Sequence, residues 1–293
     1  MNRNAIIMAA GMSSRFVPLS LETPKALLNV KGEILIERQI RQLREAGIKD
    51  IIVVVGYLKE KFEYLKEKYN VILLENPYYK TMNNFSTLYV AKEYLGNTYI
   101  CSSDNYFIEN VFLQRSQHAY YATVYESGRT EEWCLELDDN DRIIGVKIGG
   151  ENAWIMKGHV FFSEEFSAQQ IPYLEKNFSN KIKWNKYWED LFIEHTEEML
   201  MFAKKYSGGI IEEFDSLDEL REFDNTYIEN TRSKIIQTLA EKLNCGEADI
   251  KKIVPIKENG IVTGFNFFCR ENIYCYEYKG DQLRKVNLKI AGN

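Results

Sequence analysis

The stretch MAAGMSSRFVPLSLETPK, residues 8–25, follows a short apolar run at residues 4–10 that predicts the first buried strand of an α/β domain. Gly11 and the serines after it allow several backbone N–H groups to approach an anion. Arg15 and Lys25 add positive charge of the kind that a triphosphate needs. The stretch therefore indicates a nucleotide-binding site, against the alternative of a surface loop with scattered charges.

The spacing of this loop differs from two other phosphate-binding loops. No Gly-Lys-Ser/Thr closes it, and serines at 13 and 14 replace the glycines of a dinucleotide fingerprint. It resembles instead the nucleotidyltransferase signature A-A-G-x-G-[ST]-R-x-x-P-x-[ST]-x-x-x-P-K, which is long and has fixed spacing. Ser13 stands where the signature has its second glycine. Glycine can adopt backbone conformations that strain other residues, so it is open whether Ser13 keeps the conformation of that glycine.

Composition excludes several classes of protein. The 293 residues suffice for one large core, or for one large and one small core. A net charge of −6 argues against a nucleic-acid partner, and no apolar run is long enough to cross a membrane. There is no signal peptide pattern, and the five cysteines are scattered and odd in number. These features predict reduced thiols and a cytoplasmic location.

Strand and helix patterns alternate along the first half of the chain. Strands are predicted at 51–55, 71–74 and 99–102, and helices at 33–46, 58–68 and 87–94. Short strands are then predicted at 120–125, 133–137, 142–148, 159–162, 199–203 and 209–214, and helices at 164–176, 184–195 and 216–224. The fold class is therefore α/β, a doubly wound mixed sheet with its ligand crevice at the carboxyl ends of the strands. The resemblance of the loop to the nucleotidyltransferase signature implies the Rossmann-like nucleotidyltransferase fold.

The pattern changes near residue 225. One helix is predicted at 225–243, followed by antiparallel strands at 253–256, 264–269 and 273–278. We therefore predict a nucleotidyltransferase domain at 1–224 and a small α+β C-terminal appendage at 225–293. The appendage could support a homo-oligomer or docking, or it could be a packed tail without a separate task.

Two carboxylates follow predicted strands. Asp104 comes after 99–103, and Asp215 comes after 209–214. A carboxylate at a strand's carboxyl end, opposite a phosphate loop, is suited to Mg²⁺, which takes one or two carboxylates together with phosphate oxygens and water. We expect Mg²⁺ as cofactor; the alternative is a helix N-cap, which is serious for Asp215.

Polar and aromatic residues complete the candidate site. Side-chain amides at Asn83 and Asn84 can read a pyrimidine edge, and Ser86 beside them is either a ligand contact or an N-cap. All four tryptophans lie between 133 and 188. Ring faces of this kind bind a trimethylammonium group, with a carboxylate such as Glu189 nearby, although an aromatic stripe is also typical of a core.

Six stretches together resemble the bacterial choline-phosphate cytidylyltransferase family of the nucleotidyltransferase superfamily. They are MAAGMSSRFVPLSLETPKALL, GIKDIIVVVGYLKEKFEYLKEKY, NNFSTLYVAKEYL, SSDNYF, EEW and KYWEDLF. With the resemblance, the nucleotide-binding prediction comprises Ala9, Ala10, Gly11, Met12, Ser13, Ser14, Asn83, Asn84, Ser86 and Ser103. The predicted catalytic residues are Arg15, Lys25 and Asp104, with Asp104 and Asp215 as metal ligands. The choline-binding prediction comprises Trp133, Trp154, Tyr187, Trp188 and Glu189.

The resemblance implies an enzyme that converts CTP and phosphocholine to CDP-choline and pyrophosphate. The alternatives are a nucleotidyltransferase with a sugar 1-phosphate or an aminophosphonate as acceptor, and a nucleotide-binding regulatory protein without catalysis. The stretches PIKENGIVTGFNFF and IYCYEYKG resemble the start of a choline-kinase amino-terminal lobe. The pattern ends there, with no catalytic lobe, so no kinase activity is expected.

Overall fold

A computed structural model describes residues 3–286 of the chain. The strands are β1 (Asn4–Ala9), β2 (Asn29–Val30), β3 (Glu33–Ile34), β4 (Asp50–Val55), β5 (Ile72–Glu75), β6 (Thr98–Ser102), β7 (Asn105–Phe107), β8 (Tyr120–Leu137), β9 (Ile143–Phe162), β10 (Phe202–Tyr206), β11 (Ile211–Glu213), β12 (Ile250–Glu258), β13 (Ile261–Cys269), β14 (Asn272–Glu277) and β15 (Gln282–Val286). The helices are α1 (Leu19–Glu22), α2 (Leu35–Glu45), α3 (Tyr64–Tyr69), α4 (Phe85–Val90), α5 (Glu164–Phe178), α6 (Trp188–Ile193), α7 (Leu217–Phe223), α8 (Thr226–Glu229) and α9 (Lys234–Leu243).

The described chain forms two compact units. The first contains residues 3–11 and 35–213, and the second contains residues 12–34 and 214–286. The division differs from the predicted domain boundary near 224, because the segment after Gly11 packs with the C-terminal residues. The last seven residues of the predicted appendage, 287–293, lie outside the described residues.

The first unit is built on a seven-stranded sheet in the order β10-β8-β9-β6-β1-β4-β5. Strands β6, β1, β4 and β5 are parallel, β9 is antiparallel to both β6 and β8, and β10 is parallel to β8. The β-branched run 51–55 is buried, as expected for a central parallel strand. The predicted mixed, Rossmann-like sheet is confirmed.

Strands β8 and β9 form one long hairpin, so the prediction of four short strands at 120–125, 133–137, 142–148 and 159–162 was wrong. Their pairing shifts register at several points, including 126–129 and 130–133. Such irregularities break the two-residue alternation by which a strand is recognised in sequence. The predicted hairpin turn is confirmed, since Asp138 accepts hydrogen bonds from the backbone N–H groups of Asn140 and Arg142.

The second unit combines α1, α7, α8 and α9 with a four-stranded antiparallel sheet, β12-β13-β14-β15. The prediction of one helix at 225–243 was wrong. Arg232 has a φ of 61°, and Ser233 caps α9 by accepting a hydrogen bond from the N–H of Ile236. The sequence prediction also missed β15. None of the described helices is both long and apolar enough to cross a membrane.

Candidate active site

Two loops leave the sheet of the first unit side by side. Strands β1 and β6 are parallel neighbours, and Met8 lies opposite Ser102 in their register. Ala9 therefore ends one strand, and Ala10 and Gly11 follow it, at the same edge where Ser103 and Asp104 follow the other. A Cβ added to Gly11 would meet nothing within 4 Å among the described residues, so a ligand can reach this exposed backbone. The sequence analysis predicted the ligand crevice at this edge, the carboxyl ends of the strands.

Gly56, at the end of β4, holds the glycine loop from its other side. The N–H of Tyr57 donates to the Ala10 carbonyl at 3.1 Å. A Cβ on Gly56 would lie 2.9 Å from that carbonyl oxygen and 2.8 Å from the Tyr79 ring. Only glycine permits this close approach of two loops. The sequence analysis did not select Gly56, although its place directly after a buried strand was a usable signal.

The turn that carries Asp104 is fixed by a buried glutamine of α2. Gln39, which is fully buried, donates through Nε2 to the carbonyls of Ser102 and Asn105, both at 2.9 Å. These two carbonyls bracket Ser103 and Asp104, and they use both protons of the amide nitrogen. Asp104 itself lies between β6 and β7 and caps no helix, so the N-cap alternative does not apply to it.

In the second unit, Asp215 pairs with the two predicted catalytic cations. Its carboxylate lies 2.7 Å from the Arg15 guanidinium and 3.8 Å from the Lys25 ammonium. The Arg15 side chain is 72% exposed, whereas the Lys25 side chain is 5% exposed. The N-cap of α7 is Ser216, which accepts a hydrogen bond from the N–H of Glu219 at 3.2 Å. The structure thus gives the helix cap to Ser216 rather than to Asp215.

Met12 and Ser13 precede a 3₁₀ turn of this second unit that begins at Ser14 and ends at Phe16. Ser13 has φ 46° and ψ 49°, which is the left-handed region. The strained conformation that a glycine would adopt here is therefore kept by a serine. Such a conformation costs a non-glycine residue on the order of 1 kcal/mol, and the surrounding loop must supply that stability.

The predicted base-reading residues make contacts within the first unit. The Asn83 side chain donates to the Asn185 carbonyl, while Asn84 accepts from the N–H of Trp188 and donates to Glu189. Ser86 is fully buried and donates to the Asn83 carbonyl. A direct contact between Ser86 and a nucleotide was therefore a wrong prediction, because its hydroxyl is enclosed at the start of α4.

The predicted choline-binding residues fall into three places. Trp188 is fully buried in the core, stacked on Tyr121 at 6.0 Å and edge-on to Phe162 at 5.1 Å. Its ring faces are covered, so the prediction that Trp188 itself contacts choline was wrong. Glu189 beside it is buried and accepts hydrogen bonds from Asn84 and Tyr121. Burial raises the pKa of Glu189 to about 7, although these two bonds favour the charged form.

Trp133 and Tyr187 form the second place. Their ring centroids are 5.6 Å apart and the rings are nearly perpendicular, with Tyr187 44% exposed. Trp154 occupies the third place, edge-on to Tyr125 and under the Lys205 ammonium at 5.0 Å. It lines a separate cavity of about 330 Å³ together with Cys134 and Lys147. Of the predicted ring set, the structure brings only Trp133 and Tyr187 together.

Comparison with known proteins identifies the family. A model described as the MobA-like NTP transferase domain matches residues 5–137. The choline-phosphate cytidylyltransferase of Streptococcus pneumoniae is 36% identical over 220 residues, which are 75% of this chain and 96% of that protein. The chain belongs to the choline-phosphate cytidylyltransferase family.

Two further matches are a solved structure and a relative that is named for a different acceptor. The solved CTP:phosphocholine cytidylyltransferase from Streptococcus pneumoniae aligns with a TM-score of 0.74 at 35% identity, covering 77% of this chain and 99% of that one. The 2-aminoethylphosphonate cytidylyltransferase of Lancefieldella rimae is 37% identical over 234 residues, 78% of this chain and 95% of the relative. The chain is therefore a nucleotidyltransferase, and its relatives carry names with two different acceptors.

A carboxylate beside a phosphate-binding loop is a donor that suits Mg²⁺. Among residues 3–286, no three His, Cys, Asp or Glu side chains lie close enough together to bind an ion. Mg²⁺ needs only one or two carboxylates when phosphate oxygens and water complete its shell. Asp104 is partly exposed at the sheet edge and meets this requirement. That Asp104 and Asp215 are the ligands stays a prediction.

The Gln39 bridge leads to a testable expectation for catalysis. Gln39→Met removes the two hydrogen bonds that bracket Asp104, and we expect kcat/KM to fall about tenfold, because small displacements of a catalytic group are costly. Gln42→Met is the matched control. Gln42 is also buried and donates to two carbonyls, those of Phe107 and Glu109, farther along the same segment.

Each of these glutamines has an Oε1 without a hydrogen-bond partner in the described part of the chain. The two variants should therefore lose similar stability, and thermal unfolding measures that loss. Steady-state kinetics should separate them, since only the first variant displaces Asp104. Equal kinetic losses in the two variants would assign Gln39 to stability alone.

Proposed function

We propose that the chain transfers the cytidylyl group of CTP to phosphocholine. A phosphate oxygen of phosphocholine attacks the α-phosphorus of CTP in line, the bond to the β-phosphate oxygen breaks, and CDP-choline and pyrophosphate result. The acceptor oxygen is already anionic, so positioning and charge neutralisation suffice. The observation that supports this most is the pairing of β1 and β6, which brings the glycine loop and Asp104 to one sheet edge in a member of this family.

The chain's own residues have separate tasks in this proposal. Backbone N–H groups of residues 10–14 bind the triphosphate. Arg15 neutralises the leaving pyrophosphate, and Lys25 stabilises charge on the α-phosphate. Mg²⁺, when bound through Asp104 and Asp215, neutralises phosphate charge.

The acceptor assignment depends on a series of contacts that runs from the sheet edge to the ring pair. Asn76 follows β5 and donates to Ser86 and Thr87 at the start of α4. Asn84, at the same end of α4, accepts from the N–H of Trp188 at 2.8 Å. Tyr187, which is 44% exposed, directly precedes Trp188, and its ring lies edge-on to the ring of Trp133. Ring faces attract a trimethylammonium group, which has no hydrogen bond to offer.

A second acceptor is favoured by two observations. One relative of similar identity is a 2-aminoethylphosphonate cytidylyltransferase. Glu189 could also pair with a primary ammonium, which donates hydrogen bonds to a carboxylate. The test is a pyrophosphate-release screen of CTP, UTP, ATP and GTP against phosphocholine, phosphoethanolamine, 2-aminoethylphosphonate and glucose 1-phosphate.

We expect CTP with phosphocholine to give the highest kcat/KM in that screen. A higher value for 2-aminoethylphosphonate would transfer the assignment to the second acceptor. If no nucleotide and acceptor pair gave turnover, the alternative of a nucleotide-binding regulatory protein without catalysis would be favoured. The cytoplasmic location and a homo-oligomer through residues 225–293 stay predictions.

The raised pKa of Glu189 predicts a pH dependence of choline binding. Choline keeps its charge at every pH, so its inhibition constant reports the protein's own titration. We expect choline to inhibit about fivefold more strongly at pH 8 than at pH 6, because the ionised carboxylate adds attraction worth about 1 kcal/mol. Glu189→Gln should abolish this change. A wild-type inhibition constant that is flat across this range would remove Glu189 from the choline site.

The titration of Glu189 also changes the stability of the fold, which decreases as the pH rises, whereas choline binding is expected to strengthen. The pKa of Glu189 in the folded chain lies above its ordinary value of 4.5. The protonated carboxyl therefore contributes its full stability below pH 4.5, and this contribution is lost as the pH rises through about 7. Thermal unfolding of wild type and Glu189→Gln at pH 5.5 and 8 measures the difference.

A further inference from the structure

About a quarter of this chain lies outside its match with each of two relatives. The Streptococcus pneumoniae and Lancefieldella rimae enzymes use 96% and 95% of their own length to match 75% and 78% of this chain. By the sequence resemblance, the additional residues follow position 224. They belong to the same compact unit as residues 12–34, which carry most of the nucleotide signature.

The first contact between these two parts lies three residues before Lys25. Glu22, within the signature, accepts hydrogen bonds from the Ser233 hydroxyl and from the N–H of Lys234, the latter at 2.8 Å. Both groups stand at the start of α9, a ten-residue helix. The first N–H groups of a helix have no acceptor within the helix, and its N-terminus is the positive end of the helix dipole. Both features stabilise a carboxylate at this position.

The second contact lies four residues after Lys25. The hydroxyl of Tyr227 donates to the Asn29 carbonyl at 2.8 Å, and its ring is fully buried. Arg232 donates to the same carbonyl at 2.9 Å, with its guanidinium 3.9 Å from the centre of the Tyr227 ring. Two donors from the additional residues thus bind the same backbone oxygen, that of Asn29, just after the signature.

A third contact comes from Asp224, the residue immediately before the additional ones, and lies two residues farther along the segment. The carboxylate of Asp224 accepts a hydrogen bond from the backbone N–H of Lys31 at 2.7 Å. The three contacts together fix the segment on both sides of Pro24 and Lys25. A segment that is already ordered pays less conformational entropy when a ligand binds, and the saving appears as affinity.

We propose that residues 224–234 are positioning residues for nucleotide binding: their contacts with Glu22, Asn29 and Lys31 hold the segment that carries Arg15 and Lys25 in its binding conformation. The proposal rests on the proposed function only in taking CTP as the nucleotide. It gives the additional residues a task in the reaction without any contact of their own with substrate.

The sharpest test removes one oxygen atom. Tyr227→Phe keeps the buried ring but loses the hydrogen bond to Asn29, and we expect the KM and the dissociation constant for CTP to rise about fivefold, the equivalent of one lost hydrogen bond. The acceptor KM should stay unchanged. The matched control is Tyr276→Phe, because Tyr276 is a buried tyrosine of the same unit whose hydroxyl donates to Asp281 at 2.8 Å and not to residues 12–34.

A second measurement uses the helix cap. Glu22→Ala and Ser233→Ala should each weaken CTP binding, and the double variant should weaken it about as much as Glu22→Ala alone, since Glu22→Ala already removes the hydrogen bond that Ser233→Ala breaks. CTP affinity that is equal in wild type, Tyr227→Phe and Tyr276→Phe, with equal losses of thermal stability in the two variants, would overturn the proposal.

These outcomes are separate from those of the proposed function. A wild type that binds CTP but does not use phosphocholine would overturn the acceptor assignment, while the CTP dissociation constants of the tyrosine variants still decide the positioning role. Turnover of phosphocholine with an unchanged CTP affinity in Tyr227→Phe would overturn the positioning role alone.

Discussion

Asp104→Asn is expected to lower kcat by about 10²–10³-fold with little change in stability, because it removes the carboxylate charge that would hold Mg²⁺, and Mg²⁺ would neutralise the phosphate charge. The substitution keeps the shape of the side chain. The turn itself is held through backbone carbonyls by Gln39, which the substitution leaves in place. Steady-state turnover at several Mg²⁺ concentrations is the measurement.

The control for this prediction is another aspartate in a turn. Asp139 is exposed at the tip of the β8–β9 hairpin, and Asp139→Asn should leave kcat within about twofold, as expected for a surface substitution. If Asp104→Asn retained more than a tenth of wild-type turnover at saturating Mg²⁺, Asp104 would have no place in the chemistry. A loss shared by both variants would point to stability instead.

The sequence predicted the elements whose signal is local. The buried run 51–55 and the glycine loop after β1 each carry their pattern within a few residues, and their arrangement in parallel strands brought Ser103 and Asp104 to the predicted edge. Ser233 was also readable as a cap, since it precedes Lys-Ile-Ile, but the apolar stripe that continues through 228–243 concealed the break before it.

The burial of particular side chains could not be predicted in the same way. An indole suits a ligand cage and a core equally well, because both use its apolar face. Trp188 became a core residue through Tyr121 and Phe162, which are distant in sequence. For Gln39 the burial could be predicted from its position on the helix, but its hydrogen-bond partners could not. Those partners follow β6 and are set only by the packing of α2 on that segment.

Lys25→Met is expected to lower kcat by about two orders of magnitude, a loss comparable with removing one preorganised donor from a transition-state site. The Lys25 side chain is 5% exposed, and its ammonium lies 3.8 Å from Asp215 and 5.6 Å from the centre of the Phe16 ring. Its position is therefore set before any nucleotide binds, and its charge does not have to be reorganised during the reaction. Methionine keeps the length and the apolar stem while it removes only the charge.

Two further variants define what this lysine contributes. Lys31→Met removes an exposed cation of the same segment and keeps the backbone N–H that binds Asp224, so turnover should stay close to that of wild type. Lys25→Arg should not restore activity, because a planar guanidinium is larger than the ammonium that this buried position holds. Rescue by arginine would mean that the charge acts at a distance, as a general attraction for the triphosphate, rather than at a fixed point beside the reacting phosphate.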